Sequence, residues 1–181
     1  MGQPGTYHSY GSGWAHACNT PWRLFKHYDH EGGITSPLVA HWPKGIARRN
    51  AIDTRQVGHI IDIMPTCVEL AGANYPNEMP PMEGRSPVPA LNGRDFSRGP
   101  LYWEHEGNRA IRIGKWKAVA LEPDGKWELY DMEADRTEMH NLAAQQPGRV
   151  KDMVRQWEQW AKRTNVVPWM WTPQYKPGEA P

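Results

Sequence analysis

At 181 residues the chain has room for one domain, or for part of a larger one with a small companion. Its 21 lysines and arginines nearly balance 20 acids, so a net charge of +1 makes no general electrostatic case for nucleic acid or membrane. No apolar run approaches the ~20 residues that span a bilayer, no basic-then-apolar leader follows Met1, and two cysteines permit one disulfide at most without fixing a compartment.

The first informative stretch is Asn19 to Ile34, NTPWRLFKHYDHEGGI. It places Lys26 before Glu31 and closes on Gly32-Gly33, where no Cβ stands in the way of a sharp backbone turn. Pro37 to Trp42 (PLVAHW) reads as a short buried strand bounded by prolines. A lysine just ahead of such a strand in an α/β protein lies near the edge of the sheet, where ligands bind. A helix is predicted near Asp62 to Ala71, with Asp62 as its cap, Pro65 in its first turn and Gly72 at its end. Residues 1–75 thus read as the tail of a larger α/β core.

Residues 76–100 are rich in Pro and Gly and read as a connector with little regular structure. From Leu101 the period changes to that of strands: LYWEH, NRAIRIG, WKAVAL and WELYDM alternate and are separated by Glu106-Gly107, Gly114-Lys115 and Pro123-Asp124-Gly125. A four-stranded antiparallel meander is predicted. Val150, Met153, Val154, Trp157, Trp160 and Ala161 recur at helical spacing, giving one amphipathic helix to cover the sheet and completing a subdomain over residues 101–165. Residues 166–181 are too rich in proline for a helix and read as an extended tail.

Several side chains are candidates for chemistry. Lys26 offers a compact positive charge suited to the non-bridging oxygens of a tetrahedral anion, where it can also stabilise negative charge on a departing group. His27 and His30 flank it, either as donors or as structural residues, and Glu31 is expected to fix the loop, with Arg23 as a possible partner. At the predicted hairpin tip His105, Glu106, Asn108 and Arg109 cluster, and loop tips near a site often set substrate choice. The other reading of Arg109 and Glu106 is that they brace the turn. The acidic run from Asp131 to Glu138 lacks the spacing of an EF-hand loop. Ten tryptophans against two phenylalanines suit packing or stacking on sugar rings, so a non-catalytic aromatic β module stands as the alternative. It would bind carbohydrate or a partner chain through Trp103, Trp116, Trp127, Trp169 and Trp171.

The order of residues resembles the formylglycine-dependent, arylsulfatase-like branch of the alkaline-phosphatase-like superfamily. Thr20, Pro21, Arg23, Lys26, Glu31, Gly32 and Gly33 fill a TPxRxxKxxxxEGG tract, followed by Ile34, Pro37, Trp42 and Pro43. Three later tracts, from His59, Leu101 and Trp127, follow in the same order. The resemblance implies the C-terminal part of an α/β/α core followed by the small α+β subdomain. It further implies a sulfuric ester hydrolase in which Lys26 contacts the sulfate, while His105 and Arg109 at the hairpin tip stand as the substrate-contact candidates.

The family's CxPxR or SxPxR motif, whose first residue becomes formylglycine, is not found. In CNTPWR the proline and arginine lie one position too far from Cys18, and Cys67 fits no better. The Asp and Asn ligands of the Ca2+ expected for the intact enzyme are also not recognised, so no metal ligand is assigned in this chain. The chain therefore reads as the C-terminal portion of a sulfatase, inactive alone, with a sulfate ester as substrate and the N-terminal sulfatase core as partner. The resembled family is commonly periplasmic or extracellular; the residues themselves leave the compartment open.

Overall fold

The computed structural model describes residues 11–46, 50–54 and 56–170. They fall into two compact units: the segments up to Thr35 and from Pro100 form one, and Ser36–Gly99 the other.

In the first unit a short helix, α1 (Gly11–Asn19), leads into the lysine loop, which ends in a single turn, α2 (Glu31–Ile34). In the second unit a 3-10 turn at Ile60–Asp62 runs into α3 (Ile63–Ala71), and α4 (Val88–Leu91) is one turn long. The meander follows as β1 (Leu101–His105), β2 (Asn108–Ile113), β3 (Trp116–Ala120) and β4 (Glu128–Asp131), and α5 (Pro147–Arg163) completes the first unit.

The sheet order is β1-β2-β3-β4, all antiparallel. The β1–β2 turn consists of Glu106 (φ 53) and Gly107 (φ 82), and positive φ at both positions gives the turn whose twist matches a two-residue hairpin. Side chains directly opposite one another share a face, so strand register sorts the sheet into two surfaces. Ile111, Ala118 and Leu129 face α5, whose Met153, Trp157 and Ala161 recur every four residues and are buried against them. The indole Nε1 of Trp157 donates to Trp103 O at 3.0 Å, and Trp160 stacks on Tyr102 at 5.1 Å between ring centres.

The opposite face carries Ala110, Val119 and Tyr130, packed with Met132 and Trp103. It also carries Lys117 and Glu128, and the lysine loop covers it through polar contacts. The first unit is therefore layered: loop, sheet, helix.

The second unit differs in kind. Among the described residues its one buried side chain is Asp62, and every buried hydrophobic residue lies in the first unit. The Asp62 carboxylate accepts from the His59, Arg85 and Arg98 side of the unit: from the two backbone N–H groups at 2.8 and 3.0 Å, and from the Arg98 guanidinium through both of its oxygens. Burial raises its pKa, but these hydrogen bonds and the Arg98 charge prevail and hold it below the usual carboxylate value. Asp62 thus binds Arg98 instead of capping α3, as the sequence suggested, while Gly72 (φ 60) ends α3 as expected.

The strand expected at Pro37 to Trp42 is not formed. These residues belong to no helix or strand, and Leu38 and Val39 are 73% and 87% exposed. A strand is held by ladder partners, and no described segment of this chain pairs with this one. The expected connector over residues 76–100 contains α4 and otherwise no helix or strand. The described part of the tail, residues 166–170, has no regular structure, and the remainder, Trp171 included, lies outside the described residues.

Candidate functional site

The lysine loop is pinned to the sheet at two places. On one side Glu128 accepts from Arg23 Nη1 at 3.1 Å, lies 3.1 Å from His30 Nε2 and accepts from the Tyr130 hydroxyl at 2.7 Å. Burial pushes the Glu128 carboxyl up, but the His30 and Tyr130 hydrogen bonds and the Arg23 charge overcome it and bring the pKa down to about 2. On the other side Lys117, fully buried in β3, places its ammonium 3.0 Å from Glu31 and 2.8 Å from Glu138. Burial raises the Glu31 carboxyl, while the Lys117 charge and hydrogen bonds from Thr35 and Lys117 prevail and leave it lowered. The Glu31 backbone N–H donates to Glu138 at 2.9 Å.

The Gly-Gly pair has a steric reason. A Cβ on Gly32 would lie 2.1 Å from Leu24 O, and one on Gly33 would lie 1.8 Å from Tyr28 O, closer than any side chain tolerates. The TPxRxxKxxxxEGG tract is thus a scaffold: Arg23 and Glu31 are ion-paired anchors, the glycines allow the chain to fold back on itself, and Lys26 lies between the anchors. Lys26 is exposed, and its neighbour His27 is held at φ 92, an uncommon conformation for a residue with a side chain.

The fold brings this loop to the β1–β2 hairpin tip. The amide of Asn108, itself buried, donates to His27 O at 2.8 Å and to His105 O at 3.0 Å, and its oxygen accepts from Glu122 N at 3.2 Å. His27 Nδ1 lies 2.7 Å from Glu106 Oε2, and His105 Nε2 lies 3.8 Å from Glu106 Oε1. The two imidazoles face one another at 6.1 Å. Lys26 and His105, far apart in sequence, are therefore carried on two segments that touch.

Arg109 is not part of this cluster. The hairpin register pairs His105 with Asn108, so Arg109, one residue on, points to the α5 face. There its guanidinium donates to Glu122 O at 3.2 Å and Gly125 O at 3.0 Å and lies over Trp127 and Trp157. These contacts brace the 122–125 turn instead of the hairpin tip. Glu106 faces the histidines at the tip.

Among residues weighed in the sequence, His30 is buried on Glu128, and Arg23 pairs with Glu128 instead of Glu31. Lys117, Glu128 and Glu138 were missed. Lys117 alone left a signal, a charged residue at an inward position of an apolar strand. Trp103, Trp116 and Trp127 are partly buried against the two cores instead of forming one aromatic surface. Among the described residues the side chains of metal-ligating type whose donor atoms converge are His27, His105 and Glu106. Two imidazole nitrogens and one carboxylate do not make the oxygen-rich set that Ca2+ requires.

The family model described as N-sulphoglucosamine sulphohydrolase, C-terminal, matches residues 21–163. An uncharacterized sulfatase of Schizosaccharomyces pombe is 33% identical over 184 residues, covering 90% of this chain and 32% of that protein. A choline-sulfatase of Rhizobium meliloti is 38% identical over 98 residues, 50% of this chain and 18% of that protein. The crystal structure of Ps i-CgsB superposes with a TM-score of 0.64 at 25% identity, over 78% of this chain and 32% of that one. The chain spans about a third of the length of the first and last of these relatives. It belongs to the sulfatase family, with the alkaline-phosphatase-like fold, and corresponds to the C-terminal region of its members.

Proposed function

We propose that this region serves a sulfuric ester hydrolase by presenting Lys26 to the sulfate group of the substrate, with His105 at the substrate rim. The observation that carries the reading is the placement of an exposed lysine on a loop clamped between two ion-pair clusters, one half-buried and one fully buried, beside the hairpin tip that bears His105. A clamped loop holds the ammonium in position before substrate arrives, so little ordering is required on binding. The lysine attracts the sulfate oxygens in the ground state and more strongly as negative charge grows on the departing sulfate. His105 can donate to a polar group of the alcohol or sugar portion. Arg109 contributes indirectly, by bracing the 122–125 turn.

In this reading the attacking group and the Ca2+ belong to the remainder of the enzyme, and the 181-residue chain alone turns over no sulfate ester. Fusion or co-expression with a matching sulfatase core tests the assignment. Lys26→Ala should then lower kcat/KM by about 10² to 10³, the scale for losing one charge-stabilising donor. Lys26→Arg should restore part of it, because the wider planar guanidinium keeps the charge but not the shape. Lys44→Ala is the control. Near-full activity of Lys26→Ala at unchanged thermal stability would remove Lys26 from the site, and aryl sulfate turnover by the purified chain alone would contradict the division of roles.

A further inference from the structure

The cluster at the hairpin tip has a composition that sulfate recognition does not call for. His27, His105 and Glu106 each offer a donor atom, and these atoms all lie within 4.8 Å of one another. We propose that the three residues form a binding site for a divalent transition-metal ion of the zinc class.

Donor chemistry selects the class. Two neutral imidazoles and one carboxylate suit Zn2+ and its neighbours in the first transition row, whereas Ca2+ and Mg2+ want oxygen ligands throughout. The three side chains remain 41%, 54% and 31% exposed for His27, His105 and Glu106 respectively, so water can fill the rest of the coordination sphere. An open, partly hydrated position is what three protein ligands leave on a tetrahedral ion.

The surroundings are organised as a metal site needs. Asn108 donates to the carbonyl oxygens of both histidines and fixes the separation of their backbones. Glu106 is set by the hairpin turn at φ 53, and Gly107 beyond it donates to Glu104 Oε1 at 2.9 Å. His27 is held at φ 92, an uncommon backbone state that persists only where its surroundings impose it. Loading draws together donor atoms that lie within 4.8 Å of one another. The hydrogen bond between His27 Nδ1 and Glu106 is replaced by two coordinate bonds, and the Nδ1 proton passes to Nε2 as the imidazole changes tautomer. A bound ion would tie the lysine loop to the hairpin and would occupy His105 Nε2, which a substrate then has to contest.

The test uses the full chain, free of any histidine tag and stripped with chelator, on a Cys18→Ser, Cys67→Ser background, because both thiols are exposed and bind zinc themselves. Calorimetric titration with Zn2+ should give one ion per chain, with a higher unfolding temperature in its presence. His105→Ala and Glu106→Gln should each weaken binding by more than the roughly 10- to 100-fold that loss of an outer-shell partner costs. Asn108→Ala should fall within that range. Ring nitrogen NMR should place the ion on His27 Nδ1 and His105 Nε2. His27→Ala removes the loop's hydrogen bond to Glu106, so His105→Ala, an exposed change, decides the matter if the former does not fold. The proposal is overturned if Zn2+ does not saturate at one site, if affinity survives both His105→Ala and Glu106→Gln, or if Ca2+ competes equally.

Discussion

Lys117 neutralises two buried carboxylates at once, lying 3.0 Å from Glu31 and 2.8 Å from Glu138 with all three side chains almost fully shielded from solvent. Lys117→Ala strands both acids, and removing one partner from a buried ion pair costs about 3 to 5 kcal/mol. Urea denaturation should show a loss of that size, and a loss below about 1 kcal/mol would mean that water reaches the acids. Asp29 sets a pH dependence. Burial is the main cause of its raised pKa, Lys117 opposes, Glu104 adds, and the result is about 7 against an ordinary 3.8. One of its oxygens is buried without a hydrogen-bond partner. The folded chain holds a proton that the unfolded chain releases, so this contribution is complete below about pH 4 and is lost as pH rises through 7, on the order of 4 kcal/mol for a shift of that size. Glu128 acts in the opposite sense: with its pKa lowered to about 2, its contribution is present above about pH 4.5 and is lost as pH falls through 2. Stability should therefore peak between about pH 4 and 5, and Asp29→Asn should flatten the decline toward pH 7 in chemical denaturation at several pH values.

Among the elements, α5 contributes most of the apolar cover of the sheet. Trp157 packs on the Ile111, Ala118 and Leu129 face, meets Trp127 edge-on at 5.9 Å and donates to Trp103 O. Trp157→Ala deletes a buried indole and leaves that carbonyl without its donor. A cost of about 3 to 5 kcal/mol is expected, together with a weaker stack for Arg109 and hence a looser 122–125 turn. Thermal unfolding measures the first effect. Amide exchange at Gly125 and Lys126 reports the second, and unchanged exchange there would detach Arg109 from the turn. On the opposite face the lysine loop is held by charge pairing more than by apolar area, so salt and pH should act on the loop before they act on the α5 face.

At the scale of the whole chain, stability is distributed unevenly between the two units. The unit of sheet, lysine loop and α5 holds every buried hydrophobic residue described, while Ser36–Gly99 leaves Leu38, Val39, Ile60, Ile63, Met64 and Leu70 exposed and buries Asp62. Hydrogen exchange should find the slowest amides in β2 and β3 and fast exchange throughout α3, since local opening tracks the lack of buried apolar contacts. Equal protection in α3 would show that these side chains are covered in solution. The chain spans about a third of the length of its sulfatase relatives.

Sequence alone specified the meander, its turns and the covering helix, because these follow from neighbours two to four residues apart: alternation in the strands, Glu106-Gly107 at the tip, and Met153, Trp157 and Ala161 on one face. It also located the lysine tract and its family. The facing of Arg109 was available too, since a two-residue turn pairs His105 with Asn108 and turns the next side chain away. What only the tertiary structure decided were the long-range pairings: Glu31 with Lys117, Arg23 with Glu128, and His27 with Glu106. It also decided that Pro37 to Trp42 form no strand, because a strand exists only with a partner that its own residues do not name. Local periodicity is written in adjacent residues, whereas a buried charge finds its counterpart wherever chain folding delivers one, and the cost of leaving it unpaired makes the pairing obligatory without making it readable in advance.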